Sequence, residues 1–230
     1  PFLFTKSVPS SKSIDFISGN FKIKFTENSI YDTLHLELND RNGKSFQIGQ
    51  STVPLAEPIE VEYKTKGQFN PSKDLVYNVY GNARRLQKTE WDSNRVKFRI
   101  NELGDFQILN DTIAPIIHPV IKNSNKLAFR ISDNLAGIKS FRAEVDGKYV
   151  LMDYDFKRRL IWSIKSDSTE TFVGDLKLSV VDNAGNESTY ESNMDVPLPT
   201  PKLKKSKGKP SKKGKTIKKK TNSRKKSKKK

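Results

Sequence analysis

Two histidines are the first candidates for chemistry, because histidine is the residue type most often used as a metal ligand and as a general base. His35 alternates with leucines, which places it on the polar face of a predicted strand. His118 precedes Pro119 in a segment predicted to link two modules. Neither histidine has a zinc-binding partner at a recognised spacing, and the absence of cysteine excludes thiolate ligands, disulfides and cysteine nucleophiles. We interpret both histidines as surface or linker residues, and we predict no metal, no cofactor and no catalytic residue.

Two acidic turns are the other candidates for a metal site. Asp133-Asn134 and Asp182-Asn183 each follow a predicted strand and shortly precede an Ala-Gly pair. Carboxylate and amide oxygens are ligands for calcium. Asp and Asn also bond to their own backbone in tight turns, where glycine takes the left-handed position. The spacing does not match an EF-hand loop and carboxylates are few, so we favour turns without an ion. Calcium binding stays an open alternative.

Asp153 and Asp155 would share one face of a strand, where paired carboxylates can do acid–base chemistry. The segment Asp155-Phe156-Lys157-Arg158 is more typical of a turn. The chain has no Gly-x-Ser-x-Gly elbow and no phosphate-cradling glycine loop. We therefore predict that this chain is not an enzyme.

The elements that must position these residues are strands. Apolar residues alternate with polar ones in short runs, which is the pattern of half-solvated antiparallel sheets, and no run has the three-four spacing of a long helix. The runs include Phe21/Ile23/Phe25, Leu34/Leu36/Leu38, Ile59/Val61/Tyr63, Val96/Phe98/Ile100, Leu127/Phe129/Ile131, Leu160/Trp162/Ile164 and Leu176/Leu178/Val180. Asp146-Gly147 between two such runs predicts a two-residue hairpin. The predicted fold class is all-β, with two immunoglobulin-like β-sandwich modules in tandem and a disordered basic C-terminal tail.

The predicted organisation has four parts. Residues 1–18 form a leader or linker, residues 19–110 a first β-sandwich module, residues 111–196 a second immunoglobulin-like module, and residues 197–230 a Pro/Lys-rich tail. The boundary near Asn110 rests on the prolines that follow it, which favour extended chain. No run approaches eighteen apolar residues, so no membrane span is predicted. The start Pro1-Phe2-Leu3-Phe4 favours a piece of a longer chain.

The positive charge belongs to the tail. Of the 43 Lys and Arg residues, 17 lie from Lys202 onward, where there is no Asp or Glu, and the rest of the chain has 26 basic and 26 acidic residues. The net charge of +17 therefore says nothing about the predicted modules.

The tail admits three interpretations: nucleic-acid binding by counterion release, adhesion to an anionic membrane or cell-envelope polymer, or a solvated extension. It has no aromatic residue for base stacking and no amphipathic pattern for membrane insertion, so we favour electrostatic adhesion to a polyanion, and the composition leaves the class of polyanion open. The predicted polyanion-binding residues are Lys204, Lys205, Lys212, Lys213, Lys218, Lys219, Lys220, Arg224, Lys225, Lys226, Lys228, Lys229 and Lys230.

Four segments in this order carry a resemblance to a known family. They are residues 104–117, residues 129–138 with their Asp-Asn-Leu-Ala-Gly, residues 145–155 with Asp-Gly-Lys and Tyr-Asp, and residues 181–186 with Asp-Asn-Ala-Gly-Asn. The set resembles the C-terminal region of exported Bacteroidetes zinc metallopeptidases of the lysostaphin type, which cut peptidoglycan peptides. The resemblance covers roughly residues 19–192, and the Asp-Asn-Ala-Gly-Asn turn alone is widespread in bacterial immunoglobulin-like domains.

The zinc ligands of that family, a His with an Asp four residues on and a later His-x-His, match nothing in this chain. The resemblance therefore implies a non-catalytic accessory or targeting region of a peptidoglycan metalloendopeptidase, with the peptidase domain in cis or in trans. It also implies a periplasmic, outer-membrane-associated or secreted location. The alternative is a free-standing cell-surface binding or adhesion module, and polyanion or nucleic-acid binding through the tail is a third interpretation.

Overall fold

A computed structural model describes residues 6–194. Strands, turns and bends account for this part of the chain, which contains no helix. The strands are β1 Lys6–Val8, β2 Ile14–Ser18, β3 Phe21–Phe25, β4 Leu34–Leu36, β5 Leu38–Asp40, β6 Ser45–Ile48, β7 Pro54–Lys64, β8 Asp74–Tyr80, β9 Ala83–Leu86, β10 Thr89–Asp92, β11 Arg95–Glu102, β12 Gly104–Asn110, β13 Ile116–Asn123, β14 Lys126–Ser132, β15 Ile138–Val145, β16 Lys148–Val150, β17 Met152–Asp155, β18 Leu160–Ser163, β19 Gly174–Asp182 and β20 Glu187–Met194.

The predicted all-β fold class is confirmed, and the strands form two successive sandwiches. In the first module, β1 to β12, one sheet has the order β10-β11-β7-β3-β2 and the other the order β5-β6-β12-β8-β9. A short ribbon of β1 and β4 accompanies them. Among the described residues, no helix is long and apolar enough to span a membrane.

The core of the first module is aromatic. Phe46 of β6 lies between the sheets, and its ring centroid is 4.4 Å from that of Tyr63 on β7 and 5.6 Å from that of Phe21 on β3. Phe106 of β12 packs on the same ring at 6.0 Å. These side chains are almost fully buried, as alternation predicts for residues on an inward-facing strand surface.

The outer face of the sheet that contains β3, β7 and β11 is charged. Lys22 of β3 and Lys97 of β11 both lie opposite Glu62 of β7, and Lys24 lies opposite Glu60. Opposite charges on neighbouring strands favour this register over one shifted by a single residue, which would expose the apolar face.

The second module, β13 to β20, consists of two four-stranded sheets with the orders β13-β14-β18-β17 and β16-β15-β19-β20. In the order of the chain these are strands one, two, six and five in one sheet and strands four, three, seven and eight in the other, which is the ABED and C′CFG arrangement of an immunoglobulin-type sandwich. Its core contains Leu127, Phe129 and Ile131 of β14 and Leu176 and Leu178 of β19, all buried.

The predicted hairpin at Asp146-Gly147 is confirmed. β15 and β16 pair directly on either side of it, and both turn residues have positive φ, 48° and 72°. This is the type I′ geometry that matches the right-handed twist of the flanking strands.

Two predictions about strands need correction. Residues 1–18 are not a leader throughout, because β2 pairs along its whole length with β3 and buries Phe16 in the first core. In β18, the predicted inward residues are not the buried ones. Ile161 and Ser163 are buried, whereas Trp162 is partly exposed and Ile164 is 41% exposed. Ser163 is accepted inside because its Oγ receives the Leu127 backbone N–H at 3.0 Å.

Candidate functional site at the junction of the two modules

Three aspartates meet where the first module ends and the second begins. Asp111 follows β12, Asp133 follows β14, and Asp182 is the last residue of β19. One carboxylate oxygen of each lies within 4.8 Å of one oxygen of each of the others. Asp111 and Asp182 are buried and Asp133 is partly buried. We call this set the acidic cluster.

The two acidic turns hold their aspartates in place through backbone hydrogen bonds. Asp133 Oδ2 accepts the N–H groups of Leu135 and Gly137 at 2.9 and 2.8 Å, and Asp182 Oδ1 accepts that of Asn186 at 2.8 Å. The interpretation of both segments as self-bonded turns is therefore confirmed. These bonds leave Asp133 Oδ1 buried without a hydrogen-bond partner.

Asp111 is the member that the sequence did not single out. Its Oδ1 accepts the Ile113 N–H at 3.2 Å and its Oδ2 accepts the Ala136 N–H at 2.9 Å, so one carboxylate connects the linker to the β14–β15 loop. Its backbone carbonyl accepts the side-chain amide of Asn186 from the β19–β20 loop at 3.2 Å. In the sequence, only its position at the predicted module boundary distinguishes Asp111, and it lies far from both acidic turns.

The first module contributes Tyr77, a fully buried residue of β8. Its ring belongs to a small apolar cluster with Leu75 of its own strand and with Ala136 and Ala184 of the two loops. The hydroxyl group has no hydrogen-bond partner. Burial raises the pKa of this hydroxyl, and the charges of the acidic cluster raise the pKa further. The Tyr77 hydroxyl is therefore a neutral group within electrostatic reach of the three carboxylates.

Lys73 adds a second attachment between the modules. Its Nζ donates to the Ala184 carbonyl at 2.8 Å and to Asn186 Oδ1 at 2.5 Å, and Asn186 in turn donates its amide to Asp182 Oδ2 at 2.8 Å. Within residues 6–194, none of the ion pairs involves Asp111, Asp133 or Asp182.

The remaining predicted candidates do not come together. His35 is exposed on β4, where its Nδ1 lies 3.0 Å from Ser7 Oγ, and these two residues are directly opposed on the β1–β4 ribbon. His118 is exposed on β13 of the other module. Asp155 Oδ1 accepts the Arg158 N–H at 3.0 Å, which confirms the predicted turn. The predicted polyanion-binding residues of the tail lie outside the described residues.

Three comparisons place this chain among known proteins. A family model described as a Zu5-like domain matches residues 5–111, which contain all strands of the first module. No curated protein matches the sequence. One similar solved structure is a chimeric titin Z1Z2-Z1Z2 tandem functionalised with a GRGDS exogenous peptide from fibronectin. It is 12% identical, with a TM-score of 0.24 over 61% of this chain and 91% of that chain, a likeness too loose to indicate a shared fold or function.

Proposed function

We propose that the two modules are a non-catalytic accessory region that positions or targets a peptidoglycan metalloendopeptidase of the cell envelope, supplied in the same polypeptide or as a separate partner. The observation that carries the proposal is the junction. Tyr77 and Lys73 of the first module and Asp111 of the linker contact both loops of the second module. Contacts of this kind restrict the relative motion that linked modules otherwise have, which a spacer or positioning element requires.

The resemblance to the C-terminal region of lysostaphin-type peptidases supplies the partner class. In this proposal the chain works outside the cytoplasm, in the periplasm, at the outer membrane or as a secreted protein. The DNA upstream of the Pro1 codon tests the partner. We expect an in-frame or adjacent coding sequence with a His, an Asp four residues on and a later His-x-His. Absence of any such sequence would favour the alternative, a free-standing adhesion module.

The arrangement of the two histidines supports the proposal that this chain is not catalytic. The two histidines lie in different modules, and the hydrogen bond of Ser7 to His35 joins exposed residues that are directly opposed on a ribbon, as in an ordinary cross-strand pair. We expect the purified chain, supplied with zinc, to release no soluble peptide fragments from peptidoglycan. Chelator-sensitive release by this chain would contradict the proposal.

We further propose that the lysine tail binds an anionic polymer of the envelope. The tail has 17 basic residues and no acidic ones from Lys202 onward, so the logarithm of its binding constant should fall linearly with the logarithm of the salt concentration. We expect the full chain, but not a chain truncated at Pro197, to bind dextran sulfate beads in low salt. Equal binding by the truncated chain would assign the polyanion site to the modules, whose formal charge is balanced, and would contradict this prediction.

A further inference from the structure

Each acidic turn is held by its own aspartate, so neither turn requires three carboxylates to lie close together. The members of the acidic cluster are three carboxylates, so every candidate ligand atom is oxygen, the atom preferred by calcium and magnesium. We propose that Asp111, Asp133 and Asp182 bind one calcium ion at the junction of the two modules. This inference rests on the junction and is independent of the peptidase partner.

The distances fit a shared ion. For three oxygens within 4.8 Å of one another, a central ion lies no more than about 2.8 Å from each, close to the Ca–O range of about 2.3–2.6 Å. Magnesium dehydrates reluctantly and usually binds through one or two carboxylates while it keeps several waters. Three carboxylates, two of them buried, therefore favour calcium.

Burial gives the second argument. Asp111 is 1% exposed and Asp182 is 0% exposed, and neither forms an ion pair within the described part of the chain. Buried carboxylates are normally paired or coordinate a metal, because removal of an unpaired charge from water is costly. The ammonium group of Lys73, which also lies at the junction, is bonded to Ala184 and Asn186 instead.

Tyr77 is independent of the carboxylates and points to the same ligand. Its hydroxyl is fully buried and has no hydrogen-bond partner, although a buried phenol almost always finds one. The ring packs on Ala136 and Ala184, which lie in the loops that carry Asp133 and Asp182. An ion among the three carboxylates would give this oxygen, and the partnerless Asp133 Oδ1, a positive charge to face.

The hydrogen bonds described above prepare the site without filling it. Each carboxylate oxygen has more than one lone pair, so an oxygen that accepts a backbone N–H can still face an ion. Backbone bonds of this kind orient metal ligands and fix their rotamers. Asp111 lies in the linker directly after the last strand of the first module, whereas the other two belong to loops of the second. A bound ion therefore fixes the start of the linker to the second module, and calcium is expected to raise the stability of the pair.

Thermal unfolding of the full chain in chelator and in calcium tests the proposal. At a calcium concentration about 100 times the Kd, we expect an increase in Tm on the order of 5 °C or more for a folded region of this size. Asp133→Asn keeps an oxygen for the Leu135 and Gly137 bonds but removes the charge. We expect this variant to lose the calcium-dependent increase while its Tm in chelator stays equal to or above that of the wild type.

Asp155→Asn is the matched control, because Asp155 also accepts a backbone N–H in a turn of the second module but lies outside the acidic cluster. It should keep the full calcium response. An unchanged wild-type Tm in calcium, or an equal response of Asp133→Asn, would overturn the proposal. A magnesium response as large as that of calcium would overturn the assignment of the ion.

Terbium, which replaces calcium, supplies a readout that does not depend on stability. Excited tyrosine transfers energy to a terbium ion only at short range, so the wild type should show sensitised emission that calcium competes away. Tyr77→Phe should lose most of this emission, whereas Tyr154→Phe, a change in the core of the second module, should keep it. Equal emission from the two variants would place the ion elsewhere and contradict the proposal.

Discussion

Tyr77 shows how one residue can belong to a core and to a site together. Its ring is packed like any buried aromatic, and its hydroxyl is within electrostatic reach of three carboxylates. β8 buries four successive residues from Leu75 to Asn78, and the apolar run Leu75-Val76-Tyr77 indicates that such a residue is buried. The run does not predict what the hydroxyl faces, because the aspartates come from loops distant in sequence.

The environment of Tyr77 has a consequence at high pH. In the unfolded chain a tyrosine ionises near pH 10, whereas burial and the neighbouring carboxylates raise the pKa of Tyr77 in the folded protein. The folded state therefore holds more protons above pH 10. Stability is fully present below that pH and falls as pH rises toward the folded pKa, by up to about 1.4 kcal/mol per pH unit for this group.

We expect Tyr77→Phe to flatten this decline. The measurement is urea unfolding in chelator at several pH values between 9 and 11, with Tyr149→Phe, which alters an exposed tyrosine, as the control. Identical slopes for the two variants would show that the hydroxyl does not carry the effect.

At the scale of elements, strands with clear alternation were predictable and those without it were not. β3, β7, β11 and β14 bury the residues that the pattern selects. β2 was missed because Ile17, which is 69% exposed, interrupts the short alternation of Ile14 and Phe16. β18 was assigned the wrong face, because large apolar residues occupy both faces and a hydrogen-bonded serine lies inside.

The hairpin between β15 and β16 depends on glycine at its second turn position. Gly147 has φ of 72°, which costs an L-residue with a side chain about 1–2 kcal/mol. A Cβ at this position would contact no neighbouring atom, so backbone strain is the expected cause of any loss. We expect Gly147→Ala to lower the free energy of unfolding by about that amount in urea denaturation. Lys148→Ala, an exposed neighbour on β16, is the control and should change it far less.

At the scale of the whole molecule, the junction makes the two modules interdependent. The packing of Tyr77 on Ala136 and Ala184 and the bonds of Lys73 and Asn186 cross from one module to the other. Composition and alternation predicted two modules, but not this dependence, because each contact pairs residues that are individually unremarkable in sequence.

Calorimetry measures the dependence directly. Ala184 is 1% exposed, so the side chain introduced by Ala184→Arg does not fit between the loops and Tyr77. We expect the wild type to unfold in one cooperative transition and the variant in two, as separated modules do. Ala83→Arg, an exposed alanine on β9, should keep the single transition. A wild type that already unfolds in two steps would contradict strong coupling.

The position of Asp111 limits where the two modules can be exchanged between genes. A crossover after Asn110 interrupts none of the strands that alternation predicts, yet it would separate Asp111 from Tyr77 and Lys73 of the preceding module. A graft of the second module onto a foreign neighbour would keep Asp111, Asp133 and Asp182 but lose the phenol and the ammonium group that face its loops. The transferable unit is therefore the pair of modules, and exchanges between related genes should preserve them together.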